Sequence, residues 1–413
     1  MSENLFAYTI TNYTKSAAGA IVGERSSSSV TSTAAVKITD ILNSDAAFFN
    51  FFQGLNSRLV LRQYKHTTEF IANQIIAPQG TWTSPLASQT WSGVANLHAV
   101  ATSGNYLYAT DYDLGKIARV LMTGDAYSQQ SSYDFPSELA VTGAEYHGEG
   151  LAVYNGFLYA LYTCNPSGGY STYDDSYVVQ FAIDETDGSL TYTDSYVRVG
   201  KNAFTLELYG NKLYICALGG MQNGGSYNTA TCLSIVTIDS GDNMSVANVS
   251  LATGMSGDFR DISIANGNNA YILLGYYDSS YANLLGKIYH STVANLSSPA
   301  NWTEVVSINN AGYLWGLQAE ASPTRLWYIK GNLIDVYGSL PTTTGATLTS
   351  FSTSNLAGST GYTSLNSACF IAPDTSLTAA SAARPAHVAK SFASHIRLAR
   401  QARELAEKLA EKK

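Results

Sequence analysis

The 413-residue sequence has few charged residues, few cysteines and no long apolar run. Charged residues make up 13% of the chain, about half the usual share, so neutral polar side chains must hydrate the surface. Four cysteines without a CxxC pair exclude a disulfide-built scaffold. The absence of a run of about eighteen apolar residues excludes a membrane-spanning helix, and the N-terminus does not have the pattern of a Sec signal peptide. The sequence therefore predicts a globular protein without a transmembrane segment.

The charge of the chain is unevenly distributed. The formal net charge is -8, but the segment from Arg384 to Lys413 carries eight basic and three acidic residues, so that the rest of the chain is left at -13. Binding of nucleic acid depends on clustered Lys and Arg, and an acidic body does not supply them. We expect no nucleic-acid partner and interpret the basic C-terminal segment separately.

Two of the cysteines, Cys216 and Cys232, lie close enough in sequence to meet across one hairpin. A disulfide between them is one interpretation. The alternative is that all four cysteines are buried thiols that pack as small hydrophobic side chains.

A short unit recurs along the chain: an apolar strand of period two, a Gly/Asn turn, and then a Leu-aromatic pair that opens a second strand. The pattern predicts β-hairpins at regular intervals. The pairs, which we call the anchors, are Leu107-Tyr108, Leu158-Tyr159 and Leu213-Tyr214, with weaker copies at Leu5-Phe6, Leu59-Val60, Ala270-Tyr271 and Leu326-Trp327.

The spacing of the anchors suits one four-stranded antiparallel blade per unit. From Leu59 to Leu326 the intervals are 48, 51, 55, 57 and 56 residues. We predict an all-β, seven-bladed β-propeller over residues 1–373, in which N-terminal strands complete the last blade with a strand at 363–372. An unclosed stack of hairpins is the alternative. A linker at 374–390 and an amphipathic helix at 391–413 follow.

One blade resembles a known family. The segment Val178 to Gly200 has an aspartate-containing turn followed by Gly188, Ser189, Leu190 and Thr191, and it resembles the third and fourth strands of a blade in the lactonase-type propellers similar to 6-phosphogluconolactonase. The resemblance implies a seven-bladed propeller with a ligand site in the central channel. Asp187-Gly188 is also a good hairpin turn on structural grounds alone.

In a propeller, the first strand of each blade lines the channel, so polar residues at the starts of these strands converge at one mouth. The candidate ligand-binding residues at the mouth are His98, His147, Glu149, Asn202, Asp258, Arg260, Asp261 and Tyr313. If Glu149 and Asp258 faced each other with His147 nearby, the three could act as general acid and base. The alternative is structural: Asp258, Arg260 and Asp261 pair among themselves, and His147 caps a strand.

The same oxygen ligands could hold a divalent cation, but no motif in the sequence specifies a metal or another cofactor. We expect no cofactor and leave a cation in the channel open.

The C-terminal segment is rich in helix formers, and Leu398, Ala402, Leu405 and Leu409 form a stripe on one helix face. A helix of this length is marginally stable alone. We expect it to self-associate or to bind a protein partner, although a solvated tail is the simpler alternative.

Three functions remain open. The first is a non-catalytic binding or structural propeller, displayed on an extracellular surface or in a large particle through its C-terminal helix, as the sparse charge and the missing motifs favour. The second is a lactonase-like hydrolase whose channel mouth uses His147, Glu149 and Asp258. The third is a glycan-binding lectin with a pocket repeated from blade to blade.

Overall fold

A computed structural model describes residues 97–370 with gaps at 124–125, 167–171, 221–229, 266–267, 278–283, 310–313, 322–323, 331–332, 338, 346–347 and 353–363. Before residue 97 it describes the backbone of strands only. The predicted linker, the predicted C-terminal helix and Tyr313 lie outside the described residues.

The described elements are mostly β-strands. In chain order they are β1 (Leu5–Asn12), β2 (Ala17–Arg25), β3 (Val30–Ala34), β4 (Phe49–Leu55), β5 (Arg58–Gln63), β6 (Thr68–Gln74), β7 (Ala87–Trp91), β8 (Leu97–Ser103), β9 (Tyr106–Asp111), β10 (Lys116–Thr123), β11 (Ala126–Gln129), β12 (Tyr133–Asp134), β13 (Glu145–Tyr154), β14 (Phe157–Asn165), β15 (Asp174–Ile183), β16 (Leu190–Lys201), β17 (Ala203–Tyr209), β18 (Lys212–Ala217), β19 (Cys232–Ile238), β20 (Met244–Val249), β21 (Asp258–Ala265), β22 (Asn269–Tyr277), β23 (Leu284–Thr292), β24 (Thr303–Ile308), β25 (Leu314–Ala321), β26 (Thr324–Lys330), β27 (Leu333–Tyr337), β28 (Leu348–Ser352) and β29 (Ser364–Phe370).

These strands pair antiparallel in sheets of consecutive strands, such as β13-β14-β15-β16 and β17-β18-β19-β20. Three short 3-10 turns, Ser137–Leu139, Val293–Asn295 and Pro299–Asn301, are the only helical elements among the residues described. The all-β prediction is confirmed, and the arrangement of sheets is propeller-like. Within the described part of the chain, no helix is long and apolar enough to cross a membrane.

The apolar core lies between neighbouring sheets. One buried cluster joins Leu161 of β14 to Leu206 of β17, and the next joins Leu233 of β19 to Ile262 of β21. The sheets that begin with β13, β17 and β21 are thus covered on both faces by their neighbours, which explains why second strands such as β14 are buried along almost their whole length. This face-to-face packing of successive four-stranded sheets is how a propeller buries its apolar side chains.

The anchors begin second strands, as the sequence pattern predicts. Tight turns join the first strand to the second, and Asn155 and Gly156 adopt positive φ angles of 50° and 78° between β13 and β14. Asn and Gly tolerate this conformation, and turns of this kind match the twist of the flanking strands.

The anchor tyrosines Tyr108, Tyr159, Tyr214 and Tyr271 are buried, and two of them form hydrogen bonds to the next sheet. Tyr108 on β9 donates a 2.8 Å bond to the carbonyl of Gly188 in the turn between β15 and β16. Tyr271 on β22 donates a 3.1 Å bond to the carbonyl of Pro341 before β28. The anchor tyrosines Tyr108 and Tyr271 therefore each tie a second strand to an outer turn of the following sheet.

The turn that carries the family resemblance is one of these contact points. Gly188 has a φ of 70°, and a Cβ there would lie 2.3 Å from the ring of Tyr106. Only glycine allows the neighbouring sheet to approach so closely.

The described cysteines Cys164, Cys216 and Cys232 are buried thiols that form no disulfide. In the pairing of β18 with β19, Cys216 lies opposite Leu233 and Ala217 opposite Cys232. This one-residue offset places the two thiols on opposite faces of the sheet, in different apolar clusters. The disulfide interpretation is therefore wrong. The number of residues between two cysteines does not show on which face of the sheet each side chain lies.

Candidate functional site

Among the described mouth residues, all except Asn202 lie on first strands that are interrupted by β-bulges. The pairing with the second strand slips by one residue at Glu149 in β13, at Phe204 in β17 and at Arg260 in β21. In β8, His98 and Ala99 together face one residue of β9. In each of these strands, a buried aliphatic residue follows the bulge two positions later; these residues are Val100, Leu151, Leu206 and Ile262. Bulges redirect side chains, and here they do so at the same level in successive sheets.

Glu149 and His98 form a buried pair that joins two sheets. The Nδ1 atom of His98 on β8 lies 2.8 Å from Oε2 of Glu149 on β13, and the two side chains are 2% and 0% exposed. A hydrogen bond to a carboxylate is strong in such a dry environment, and removal of one partner would leave the other buried without its hydrogen bond.

Glycines on either side of Glu149 make this contact possible. A Cβ on Gly148 would lie 2.8 Å from Cβ of Thr110 on β9, and a Cβ on Gly150 would lie 3.0 Å from Cβ of Leu206 on β17. The segment Gly148-Glu149-Gly150 therefore lets β13 lie close to both neighbouring sheets.

His98 is also the first of three stacked rings. The ring of Tyr112 lies between His98 and His147, with centroid distances of 4.4 and 4.3 Å and interplanar angles of 19° and 13°. The Nδ1 atom of His147 lies 2.9 Å from the carbonyl oxygen of Tyr112, and its Nε2 atom lies 3.7 Å from Oε2 of Glu145. The sheet that begins with β8 and the sheet that begins with β13 are thereby joined through both histidines.

Asp258 and Arg260 form a second buried contact, on β21. The Arg260 guanidinium donates a 3.1 Å bond from Nη2 to Oδ2 of Asp258, and the side chains are 6% and 5% exposed. Gly275 of β22 makes room for this arginine, since a Cβ there would lie 2.9 Å from Cγ of Arg260. The Nε atom of Arg260 is buried and has no hydrogen-bond partner.

Asp261 points to the following sheet. Its Oδ2 atom accepts a 2.8 Å hydrogen bond from the backbone amide of Leu317 on β25, and Oδ1 accepts one of 2.8 Å from the amide of Ile262. A carboxylate that accepts two backbone amides in a buried position holds strands in place.

Asn202 is the single residue that connects β16 to β17. It is buried, adopts a φ of 54°, and its carbonyl accepts a 3.1 Å bond from the amide of Leu218. Asn tolerates this left-handed conformation better than most residues, so a role in the chain reversal accounts for its presence.

The structure thus brings His98, His147 and Glu149 into one cluster and Asp258 and Arg260 into another, while Tyr313 lies outside the described residues. Within the described part of the chain, no group of three His, Cys, Asp or Glu side chains could hold a metal ion. Tyr112, which stacks between the histidines, was not predicted from the sequence. It follows the second strand rather than starting a first strand, and in a chain with 29 tyrosines nothing in the pattern distinguishes it.

The sequence matches no protein-family model and no curated protein. Solved structures do share the fold. A protein from Bacteroides fragilis, provisionally described as a 6-phosphogluconolactonase, is 12% identical with a TM-score of 0.60, and the match covers 90% of this chain and 98% of that one. A similarly described protein from Bacteroides uniformis is 12% identical with a TM-score of 0.57 over 85% of this chain and 97% of that one.

The periplasmic gluconolactonase of Pseudomonas aeruginosa is 11% identical with a TM-score of 0.54, and the match covers 89% of this chain and 99% of that one. The resemblance to lactonase-type propellers is thus confirmed for the fold. At these identities the likeness extends to the fold alone.

Proposed function

We propose that the chain is a non-catalytic β-propeller in which the polar residues of the mouth hold neighbouring blades together and the outer surface serves a partner. The observation that carries the proposal is the burial of His98 and Glu149, which bond each other across two sheets with almost no exposed surface. A catalytic base must reach the proton that it removes. In this pair, the carboxylate has no surface from which to meet a substrate.

We infer further that the propeller has seven blades and is closed by its two ends. The described strands form seven sheets, and β29 pairs antiparallel with β1, so that Phe6 lies opposite Phe370. Contacts between β25 and β29, β29 and β4, and β4 and β8 support a continuous ring of first strands. Closure of this kind removes the exposed strand edges that an open ring would leave.

The C-terminal helix at 391–413 is the proposed tether, through self-association or a protein partner, in an extracellular or particle-associated setting. Its stripe of Leu398, Ala402, Leu405 and Leu409 supports this role. A Leu405→Glu chain should lose the contact made by this stripe while the far-UV circular dichroism of the propeller is kept. Unchanged solution mass and unchanged capture of every binding partner would remove the tether from the proposal.

A lactone hydrolase is the second candidate, because the similar solved structures include a gluconolactonase and because Nε of the buried Arg260 has no hydrogen-bond partner. An arginine at the mouth could hold the carbonyl or an anionic group of a lactone, with Glu149 or Asp258 near the reacting water.

The two candidates predict different behaviour of one variant. In the non-catalytic protein, gluconolactone and other lactones are hydrolysed no faster than in buffer, and Glu149→Gln lowers the melting temperature. Lactone turnover by the wild type that disappears in folded Glu149→Gln protein, but survives in a Glu185→Gln control, would establish the hydrolase instead. Glu185 suits this control because it is exposed in the turn between β15 and β16.

A further inference from the structure

Exposed apolar and aromatic side chains are concentrated in one region of the sheet β13-β14-β15-β16. Val141 is 59% exposed and Tyr196 is 40% exposed. Tyrosine rings connect the two: the amide of Val141 donates a 3.0 Å hydrogen bond to the hydroxyl of Tyr146, and the ring of Tyr177 lies 5.9 Å from that of Tyr146 and 6.0 Å from that of Tyr196. The rings attract cations, since Cζ of Arg198 lies 5.6 Å from the centroid of Tyr177.

Two carboxylates lie next to these apolar side chains. Tyr192 packs in the same apolar cluster as Leu139 and Tyr146. Burial raises the pKa of the Tyr192 hydroxyl, and the nearby charges of Asp194 and Glu138, which are both exposed, raise it further. We call this surface the tyrosine patch; its members are Glu138, Leu139, Val141, Tyr192, Asp194 and Tyr196.

A bulge in β16 shapes the tyrosine patch. Tyr192 and Tyr196 lie opposite residues of β15 that are only two positions apart, because three residues of β16 face Gln180. One of the three, Asp194, has a φ of 59°, and the hydroxyl of Thr193 donates a 2.7 Å hydrogen bond to Oε1 of Gln180. The bulge therefore brings the two tyrosines to neighbouring positions on one face and is held there by a side-chain bond. Bulges of this kind redirect side chains and are frequent beside functional sites.

The predicted C-terminal helix complements the tyrosine patch in both charge and polarity. The basic C-terminal segment has eight basic and three acidic residues, a net charge of +5, against -13 for the body. Lys408 lies three residues after Leu405, and Lys412 and Lys413 lie three and four residues after Leu409, so all three lysines flank the apolar stripe. None of the three acids of the helix is three or four residues from a member of the stripe. The helix thus has leucines beside ammonium groups, and the patch has apolar side chains beside carboxylates.

We propose that the helix at 391–413 binds to the tyrosine patch of its own chain. Twenty residues separate Phe370, the end of β29, from the helix. They can extend to about 66 Å, three times the radius of gyration of about 22 Å for a compact chain of this length. Attachment to the same chain keeps the helix at a high effective concentration near the patch. The contact rests on the tether role proposed above and regulates it, because the patch covers the same stripe that a partner would bind.

Cross-linking of the full chain with a carbodiimide tests the contact. The reagent joins a lysine amine directly to a carboxylate, so it reports only pairs that touch. Peptide mapping by mass spectrometry should find bonds from Lys408, Lys412 or Lys413 to Glu138 or Asp194. The cross-linked product should keep the 44.2 kDa mass of one chain.

Two valine variants provide the matched comparison, with far-UV circular dichroism as the check that each is folded. Val141→Ser removes apolar surface from the patch without changing a charge and should lower the yield of these cross-links about fivefold. Val246→Ser makes the same change at a valine that is 39% exposed on β20 and should leave the yield unchanged. Absence of these cross-links in the folded wild type, an equal yield in Val141→Ser protein, or a product of twice the mass of one chain would overturn the contact. If Leu405→Glu abolishes partner capture while the wild type gives no such cross-link, the tether stands and this contact alone is wrong.

Discussion

The first and second strands of the sheets are built on different principles. Second strands such as β9, β18 and β22 pair with their third strands in unbroken register and bury apolar residues along their length. First strands such as β13, β17 and β21 are interrupted by a bulge near their starts, where polar side chains are buried. The second strands supply apolar packing, and the first strands add specific polar contacts between sheets.

Raising the pH tests the packing of the second strands, and we expect the largest effect of all the predicted ones, the loss of the fold. Burial raises the pKa of the anchor tyrosines Tyr159 and Tyr214 to about 12, above the ordinary value of 10. A group whose pKa is raised in the folded state contributes stability that is present below the unfolded pKa and is lost as pH rises through the folded value. We expect the protein to be stable up to pH 10 and to unfold between pH 10 and about 12.

Circular dichroism and tyrosinate absorbance along the same pH titration provide the measurement. The two signals should change together in the upper part of this range. Complete ionisation of all tyrosines with retained β-sheet signal would show that burial does not hold these hydroxyls in their neutral form.

Truncation of an anchor should have the largest effect of any single substitution. Tyr271 is fully buried on β22 and packs with Leu317 and Ile288 in one apolar cluster. Tyr271→Ala should lower the free energy of unfolding by about 3 to 5 kcal/mol, because it removes the ring and leaves a cavity. Denaturant unfolding measures the loss. Tyr276→Ala on the same strand is the control, since Tyr276 is only partly buried, and an equal loss there would contradict the role of the anchor.

The first strands should respond less strongly, and through charge rather than volume. Glu149→Gln keeps the size of the side chain but replaces the carboxylate that faces His98. We expect a loss of about 1 to 3 kcal/mol in the free energy of unfolding, the cost of a buried group left with a poorer partner.

Glu145→Gln at an exposed position should change the free energy of unfolding by less than about 0.5 kcal/mol. If both variants unfold at the same denaturant concentration, the His98 and Glu149 pair does not join the sheets.

The second strands could be predicted from the sequence because their signal is periodic. Leu-Tyr pairs after Gly/Asn turns occur in three units, with weaker copies in the other four, and Leu107, Leu158 and Leu213 are indeed buried at the starts of β9, β14 and β18. Regular hairpins leave such a pattern because strand period and turn chemistry both act over a few residues.

The first strands were harder to predict. His98 and Glu149 were recognised as mouth residues, but their contact depends on a bulge that puts residues 51 positions apart within 2.8 Å. A bulge adds one residue to one strand and has no composition of its own except the glycines that often accompany it. The stack with Tyr112 and the strand parity of Cys216 and Cys232 depend equally on register, which the sequence does not encode locally.

The smallest predicted effect compares two buried tyrosine hydroxyls on neighbouring second strands. Tyr108 donates its hydroxyl to the carbonyl of Gly188 in the next sheet, whereas the hydroxyl of Tyr162 on β14 is buried without a hydrogen-bond partner. Tyr108→Phe should cost about 1 kcal/mol, because it removes a bond and leaves a buried carbonyl unpaired. Tyr162→Phe removes a hydroxyl that gains nothing from burial, so this variant should be as stable as the wild type or more stable. Denaturant midpoints of both variants, measured side by side, decide the point, and equal destabilisation by the two changes would mean that the Tyr108 bond does not hold the sheets together.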